Sequence, residues 1–238
     1  MNDVRARLAV LNNARLCDAV CGAHGRAGEF LQSGSIWINR HQVPRFYPNA
    51  VTISPNASID SIDELLRGEI GQFAVKDSFC TLDLSSRGFR ILFEEQWIYW
   101  SASQPKPEVQ IASLRWAKID NPADLAAWEF AWSGASEEKQ ARIFVPPILD
   151  DEDIAFLAAY RGERIVAGVI ANRSDDVVGM SNVFLPEQNA LEFTAGCVAA
   201  IIDAFPGLPI VGYEGGSALA AAQLFGFEAV GPLRIWTL

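Results

Sequence analysis

The sequence predicts a mixed α+β chain in which a central mixed sheet is flanked by helices. Three observations carry that prediction. Residues 154–185 hold three short apolar stretches separated by polar turns at Arg161-Gly162-Glu163 and at residues 172–176, the pattern of an antiparallel meander. Residues 189–205 place Leu191, Ala195, Val198, Ile202 and Phe205 in a helical stripe. Residues 209–238, PIVGYEGGSALAAAQLFGFEAVGPLRIWTL, read as strand, glycine turn, short helix, Gly-Phe and strand.

In the last segment Ile210 and Val211 are β-branched and Gly215-Gly216 bounds the run. Ser217 occupies the expected N-cap, where its oxygen accepts an orphan backbone N–H. Leu219, Ala222 and Phe225 share one helical face, Gly226 is the left-handed stop, and Ile235 and Trp236 belong to the closing strand.

From the amino end, residues 3–20 read as a helix with Val4, Leu8 and Leu11 on one side, broken by Gly22, Gly25 and Gly28. Residues 30–39 read as a strand with Ile36 and Ile38 on one face. Residues 41–54 contain two prolines and the aromatic pair Phe46-Tyr47, an ordered loop entering a strand at 50–53. Ser61-Ile62-Asp63-Glu64 reads as a capping box for a helix through Leu65 and Leu66 toward Ile70. Residues 73–100 repeat the order of elements of residues 209–238, with Gly88-Phe89 standing where Gly226-Phe227 stand. Two accounts fit: a second, degenerate copy, or two common β-α-β pieces. Residues 102–108 hold two prolines and no large apolar side chain, which sets the boundary between an N-terminal half, 1–104, and a domain at 105–238. Residues 109–117 form a strand. Asn121-Pro122-Ala123-Asp124 starts a helix carrying Leu125, Trp128 and Trp132, closed by Ser133-Gly134. Asn189-Ala190-Leu191-Glu192 reads as an Asn-led capping box.

Half the residues are hydrophobic and 20% are charged, enough apolar material for a buried core. No apolar run approaches the ~20 residues that span a bilayer, so no membrane partner is expected and the cytoplasm is the expected compartment. The net charge of −10 disfavours nucleic acid. That charge is uneven, −1 over residues 1–104 and −9 over 105–238. Cys17, Cys21 and His24 fit one helix face better than a metal site, since no second Cys/His pair follows. His24 and His41 are the only histidines, which leaves little material for a Ser-His-Asp site.

Residues 209–238 resemble the C-terminal signature of the GNAT acyltransferase superfamily, and residues 154–185 are similar to its central antiparallel sheet. The resemblance covers about residues 105–238 and extends to the first half if that half is a degenerate copy. It implies transfer of an acetyl or other acyl group from acyl-CoA to a small-molecule amine. It also implies that the CoA pyrophosphate rests on the turn into the helix after the fourth strand, here Leu185, Gln188, Asn189 and Ala190. That turn lacks the family's glycines, and Glu187 and Glu192 flank it. Residues 174–233 contain no Lys or Arg and seven acids. Arg40, Arg45 and Lys76 are the cations the first half offers.

The family's proton-donating Tyr falls on Ala222, and an Asn of the same segment falls on Gly215. The nearest substitutes are Tyr213 as donor and Glu214 as base, both at a strand end. Asn182, in a polar run inside an apolar strand, is assigned to a substrate cleft together with Tyr47. The alternative function is a catalytically inactive GNAT-fold module that binds a small ligand or a protein partner in the cleft between its halves.

Overall fold

A computed structural model describes residues 3–31, 34–68, 71–109, 114–134 and 141–238. Its helices are α1 (Val4–Ala23), α2 (Asp60–Leu65), α3 (Pro122–Ser133), α4 (Ala190–Ala204) and α5 (Gly216–Phe225). The strands of the first half are β1 (Glu29–Phe30), β2 (Ile36–Ile38), β3 (Ala50–Thr52), β4 (Ala74–Asp77) and β5 (Arg90–Trp100). Those of the second are β6 (Arg115–Lys118), β7 (Ile154–Arg161), β8 (Arg164–Ser174), β9 (Val177–Phe184), β10 (Ile210–Glu214) and β11 (Glu228–Thr237). Ile70 and residues 110–113 of the strand expected at 109–117 lie outside the described residues.

Local chemistry sets most element ends. Asp3 accepts the backbone N–H of Arg5 and caps α1, and Asn121 accepts that of Asp124 and caps α3. Gly134 and Gly226 close α3 and α5 in the left-handed region. Three expected caps are absent. α2 starts at Asp60, one residue before the expected Ser61, because Ser58 takes the Asp60 N–H in a turn of its own. Asn189 is left-handed, φ 61°, and makes no side-chain cap. α5 begins at Gly216, so Ser217 lies inside it. The strand expected at 30–39 is a hairpin, β1 and β2.

The described strands form one eleven-stranded sheet in the order β1-β2-β3-β4-β11-β5-β10-β9-β8-β7-β6. Its middle is crossed. β5, from the first half, pairs with β10 of the second, while β11, the last strand of the second half, pairs with β4 of the first. The two exchanged strands pair antiparallel with each other from Glu228↔Tyr99 to Thr237↔Arg90. On either side the arrangement repeats. β3 and β4 are parallel and joined through α2; β9 and β10 are parallel and joined through α4. Side-chain alternation places α2 on the same face as α4 and α5: Leu233 and Ile235 meet α1, while Trp236 joins the cluster around α2. The first half therefore follows the same plan as the second, with a three-residue 3₁₀ turn (Ser85–Arg87) where the second has α5.

α1 crosses the middle of the opposite face. Ala9 and Val10 pack on Trp97, Val177, Val211 and Leu233. The Trp97 indole donates to Ser78 O at 3.0 Å, which ties β5 to the end of β4. Nearby, Asn12 donates to Asn172 O and Ser174 Oγ, both at 2.8 Å, and Asn172 donates back to Asn12 O. A Cβ on Gly179 would fall 2.2 Å from the Oδ1 atoms of both asparagines. Further along, Trp128 of α3 is fully buried among Phe144, Phe156 and Phe184, and Glu129 accepts the N–H groups of Ile143 and Phe144. On the other face α4 and α5 bury Cys197, Val198, Ile201 and Ala222.

Gly179→Ala forces the asparagine pair apart and is expected to lower unfolding stability by about 1–3 kcal/mol, the usual cost of overpacking. Chemical denaturation at constant m-value measures it. An unchanged midpoint refutes the close approach.

Candidate functional site

The parallel pair β9–β10 is short. Ile210 pairs with Val178 and Val211 with Gly179, and no further register follows. β9 turns away because its register to β8 slips between Gly168 and Ile170, putting an extra residue near Asn182. Asn182 has φ 51°, a left-handed conformation that Asn tolerates better than the apolar residues around it. The ends of the two strands, Ser181-Asn182 on one and Tyr213-Glu214 on the other, thus stand beside an opening in the sheet.

On the α1 face this opening meets a cavity of about 870 Å³. Its walls come from α1, the loop 42–49, β4, the outer part of β5, Trp132 of α3, and the ends of β9 and β10. Tyr213, Asn182 and Tyr47 all line it, so the structure brings together three site residues expected from the sequence. Tyr47 is 8% exposed, and its hydroxyl has no hydrogen-bond partner. Burial pushes its phenol well above the ordinary range. Tyr213 lies edge-on to Trp97 at 5.5 Å, and Lys76 Nζ sits 4.4 Å from its ring centroid.

Glu214 follows Tyr213 on β10, and strand alternation sends the two side chains to opposite faces. Glu214 is absent from the cavity wall and is partly buried. Burial, with the Glu95 carboxylate as a second cause, raises it from 4.5 to about 7. Glu95 is itself raised by burial, and its Oε2 has no partner. Glu95 was not singled out from the sequence. Its position on β5, opposite Leu233 and beside Gly215, depends on the strand exchange.

The turn before α4 is separate from this cavity. Leu185 packs partly into the core around Phe193, while Gln188 and Asn189 are exposed. The N–H groups of Glu192 and Phe193 are already bonded to Asn189 O. Glu187 and Glu192 are exposed beside it. Of the first-half cations, Arg40 is tied to Glu29 and Glu64, and Arg45 and Lys76 line the cavity instead. The turn, flanked by two exposed acids and with two of its N–H groups already bonded, does not fit a polyphosphate. Two like charges ~4 Å apart near a surface cost about 4 kcal/mol, whereas a helix terminus returns about 0.3–1 kcal/mol. Ala222 is buried in α5 and brings no hydroxyl to the site.

Cys17 and Cys21 are buried on α1, and the His24 ring nitrogen lies 2.9 Å from Ile143 O, a packing role for all three.

No protein-family model matches the sequence, and no curated protein does. Solved structures do match. A GCN5-related N-acetyltransferase from Kribbella flavida aligns over 100% of this chain and 96% of its own, with TM-score 0.67 and 16% identity. A GCN5-related N-acetyltransferase-like protein from Streptococcus suis aligns over 96% and 97%, with TM-score 0.53 and 15% identity. A tandem GNAT protein from the clavulanic acid biosynthesis pathway aligns over 75% and 67%, with TM-score 0.51 and 8% identity. The chain has the GNAT acyltransferase fold. Its two halves follow one plan within a single sheet.

The raised carboxyl of Glu214 makes stability depend on pH. Below about pH 4.5 both folded and unfolded states hold the proton, so the group contributes nothing. From 4.5 to about 7 only the folded state keeps it, and stability falls as pH rises. Glu214→Gln is expected to remove this slope and to gain on the order of 1–3 kcal/mol over the native chain at pH 8, with little difference at pH 4. Urea unfolding at the two pH values checks it; equal slopes for both chains refute the burial of this carboxyl.

Proposed function

We propose that the chain is a GNAT-like N-acyltransferase that moves an acyl group from an acyl-CoA thioester to the amine of a small molecule held in the cavity. One observation carries this reading: β9 and β10 part beside Glu214, a half-buried carboxyl poised near neutral pH. An amine acceptor arrives as an ammonium and must lose a proton before it attacks. A base near pH 7 is suited to that task. Glu214 lies across the sheet from the cavity, so the amine reaches through the opening between β9 and β10 and gives its proton to the Glu214 carboxylate there. Tyr213, on the cavity side of the same strand end, holds a phenolic proton at Oη as the donor. The acyl donor supplies the thioester carbonyl. Tyr47, Phe93 and Trp132 give the cavity an apolar wall on the acceptor side.

A second reading, a catalytically inactive module that binds a small ligand, is favoured by the bare turn at residues 185–190 and by Ala222. The two readings part on turnover. With acetyl-CoA and an amine panel, the enzyme reading expects acyl transfer whose rate rises through an apparent pKa of about 7. Glu214→Gln should lower kcat by roughly 100-fold or more and flatten that limb. Unaltered turnover in the variant removes Glu214 from the mechanism, and no heat in calorimetry with millimolar acetyl-CoA removes the transferase reading.

The acidic turn gives a separate expectation. Glu187→Lys replaces an exposed acid beside the proposed phosphate position with a cation, and should tighten acetyl-CoA binding by about tenfold at low salt. Added salt should erode the gain. Calorimetric titration measures both, and identical affinity for the two chains places the phosphates elsewhere.

A further inference from the structure

The charge of the cavity is opposite to that of the chain. Acids outnumber bases 29 to 19 in the sequence, yet among the described residues no Asp or Glu side chain lines the cavity, while Lys76, Arg45 and Arg90 do. Arg45 and Arg90 are exposed at its rim. Lys76 is 5% exposed and lies within the wall.

Lys76 has no carboxylate within ion-pair distance among the described residues; Glu95 feels its charge only from further off. The Lys76 Nζ donates to Asn13 Oδ1 at 2.6 Å and faces the Tyr213 ring, and among the described residues it takes part in no salt bridge. A buried ammonium with a neutral partner retains most of its desolvation cost, and a bound anion offsets that cost. Two further polar atoms of the wall are buried and unpaired. The Tyr47 hydroxyl is a free donor. Asn49, fully buried, spends its amide N–H groups on Asn39 O and His41 O and leaves Oδ1 without a partner. Unpaired buried polar groups are uncommon in folded proteins, and two in one cavity beside a buried ammonium mark a place for a ligand's polar end.

The rest of the wall is apolar. Phe46 is 68% exposed at φ 73° and meets Trp132 edge-on at 5.8 Å; Leu92 and Phe93 are also partly open to solvent. About 870 Å³ is within the range of small-molecule sites.

We propose that this cavity binds an organic carboxylate with an apolar or aromatic body, its carboxylate held by Lys76 and Tyr47 and its body lying against Phe46, Phe93 and Trp132. Under the acyltransferase reading this makes the acceptor an amino carboxylate, and that extension alone rests on the reading; the anion site is built from the cavity. Arg45 and Arg90 draw the anion in from the rim against the net charge of the chain.

Four probes of one shape test it by calorimetry on the full chain without acetyl-CoA: L-phenylalanine, 3-phenylpropanoate, 3-phenylpropanamide and phenethylamine. The two carboxylates should bind at least about tenfold more tightly than the amide and the amine, and should weaken as salt is added. Lys76→Met should erase the preference for carboxylate. Because that change alters a buried residue, Arg45→Gln at the exposed rim serves as a second variant and should weaken the carboxylates about two- to fivefold without altering the thermal midpoint. Equal affinity across the four probes overturns the proposal, as does absence of binding, or a carboxylate preference that survives Lys76→Met in a folded protein. Inorganic phosphate that displaces the carboxylates at equal concentration overturns the part assigned to the apolar body. Acetyl transfer is measured separately. Carboxylate binding without transfer sustains this site and removes the enzyme reading, and transfer to amines regardless of a carboxylate does the reverse.

Discussion

The antiparallel pairing of β5 with β11 holds the whole molecule in register. Each of these strands ends one half of the chain and lies inside the other half's sheet. Removing either would expose the edges of two neighbours at once, with their backbone groups unpaired. The exchange therefore turns two similar β-α-β arrangements into one sheet, and α1 covers the seam with Ala9 and Val10 against Trp97, Val211 and Leu233. The indole of Trp97 bonded to Ser78 O locks β5 to the same seam from the side of β4.

The cavity is a product of that seam. Lys76 and Phe93 belong to the first half, Asn182 and Tyr213 to the second, and the loop 42–49 closes the space above them. Lys76, Ile235 and Phe93 come level because β11 lies between β4 and β5. Charge follows the same division. The second half carries most of the negative excess, while Arg45, Lys76 and Arg90 of the first half line the cavity, so the local charge there runs against the charge of the chain.

Glu214 and Glu95 add a second constraint. Both carboxyls are pushed upward by burial, and both sit where β10 ends against β5. The close approach of Glu95 to Gly215 leaves no room for a side chain there, so the Gly215-Gly216 pair that marks the turn into α5 also makes space for a carboxylate.

Much of the fold was legible in the chain. The meander at 154–185, the stripe of α4, the Asn121 cap and the Gly226 stop are local signals, since periodicity and capping involve residues within a turn or two of one another. The matching order of 73–100 and 209–238 also pointed to a common plan. The caps expected at Ser61 and Ser217 failed because their helices start two residues earlier, and Asn189 holds the cap position but is left-handed and makes no side-chain bond. Asn182 could be picked out as part of a polar run in an apolar strand, Tyr47 as one of an aromatic pair in a loop and Tyr213 as the nearest substitute for the family's proton donor, but their meeting at one cavity could not. The sequence by itself determined the elements, their order and the uneven charge. Folding alone brings it about that the last strands of the two halves change places, that the Glu95 carboxyl raises Glu214, and that Lys76 faces a cavity with no Asp or Glu side chain among the described residues of its wall. Those outcomes are set by pairings between residues more than a hundred positions apart, and such pairings leave no pattern within any single stretch of chain.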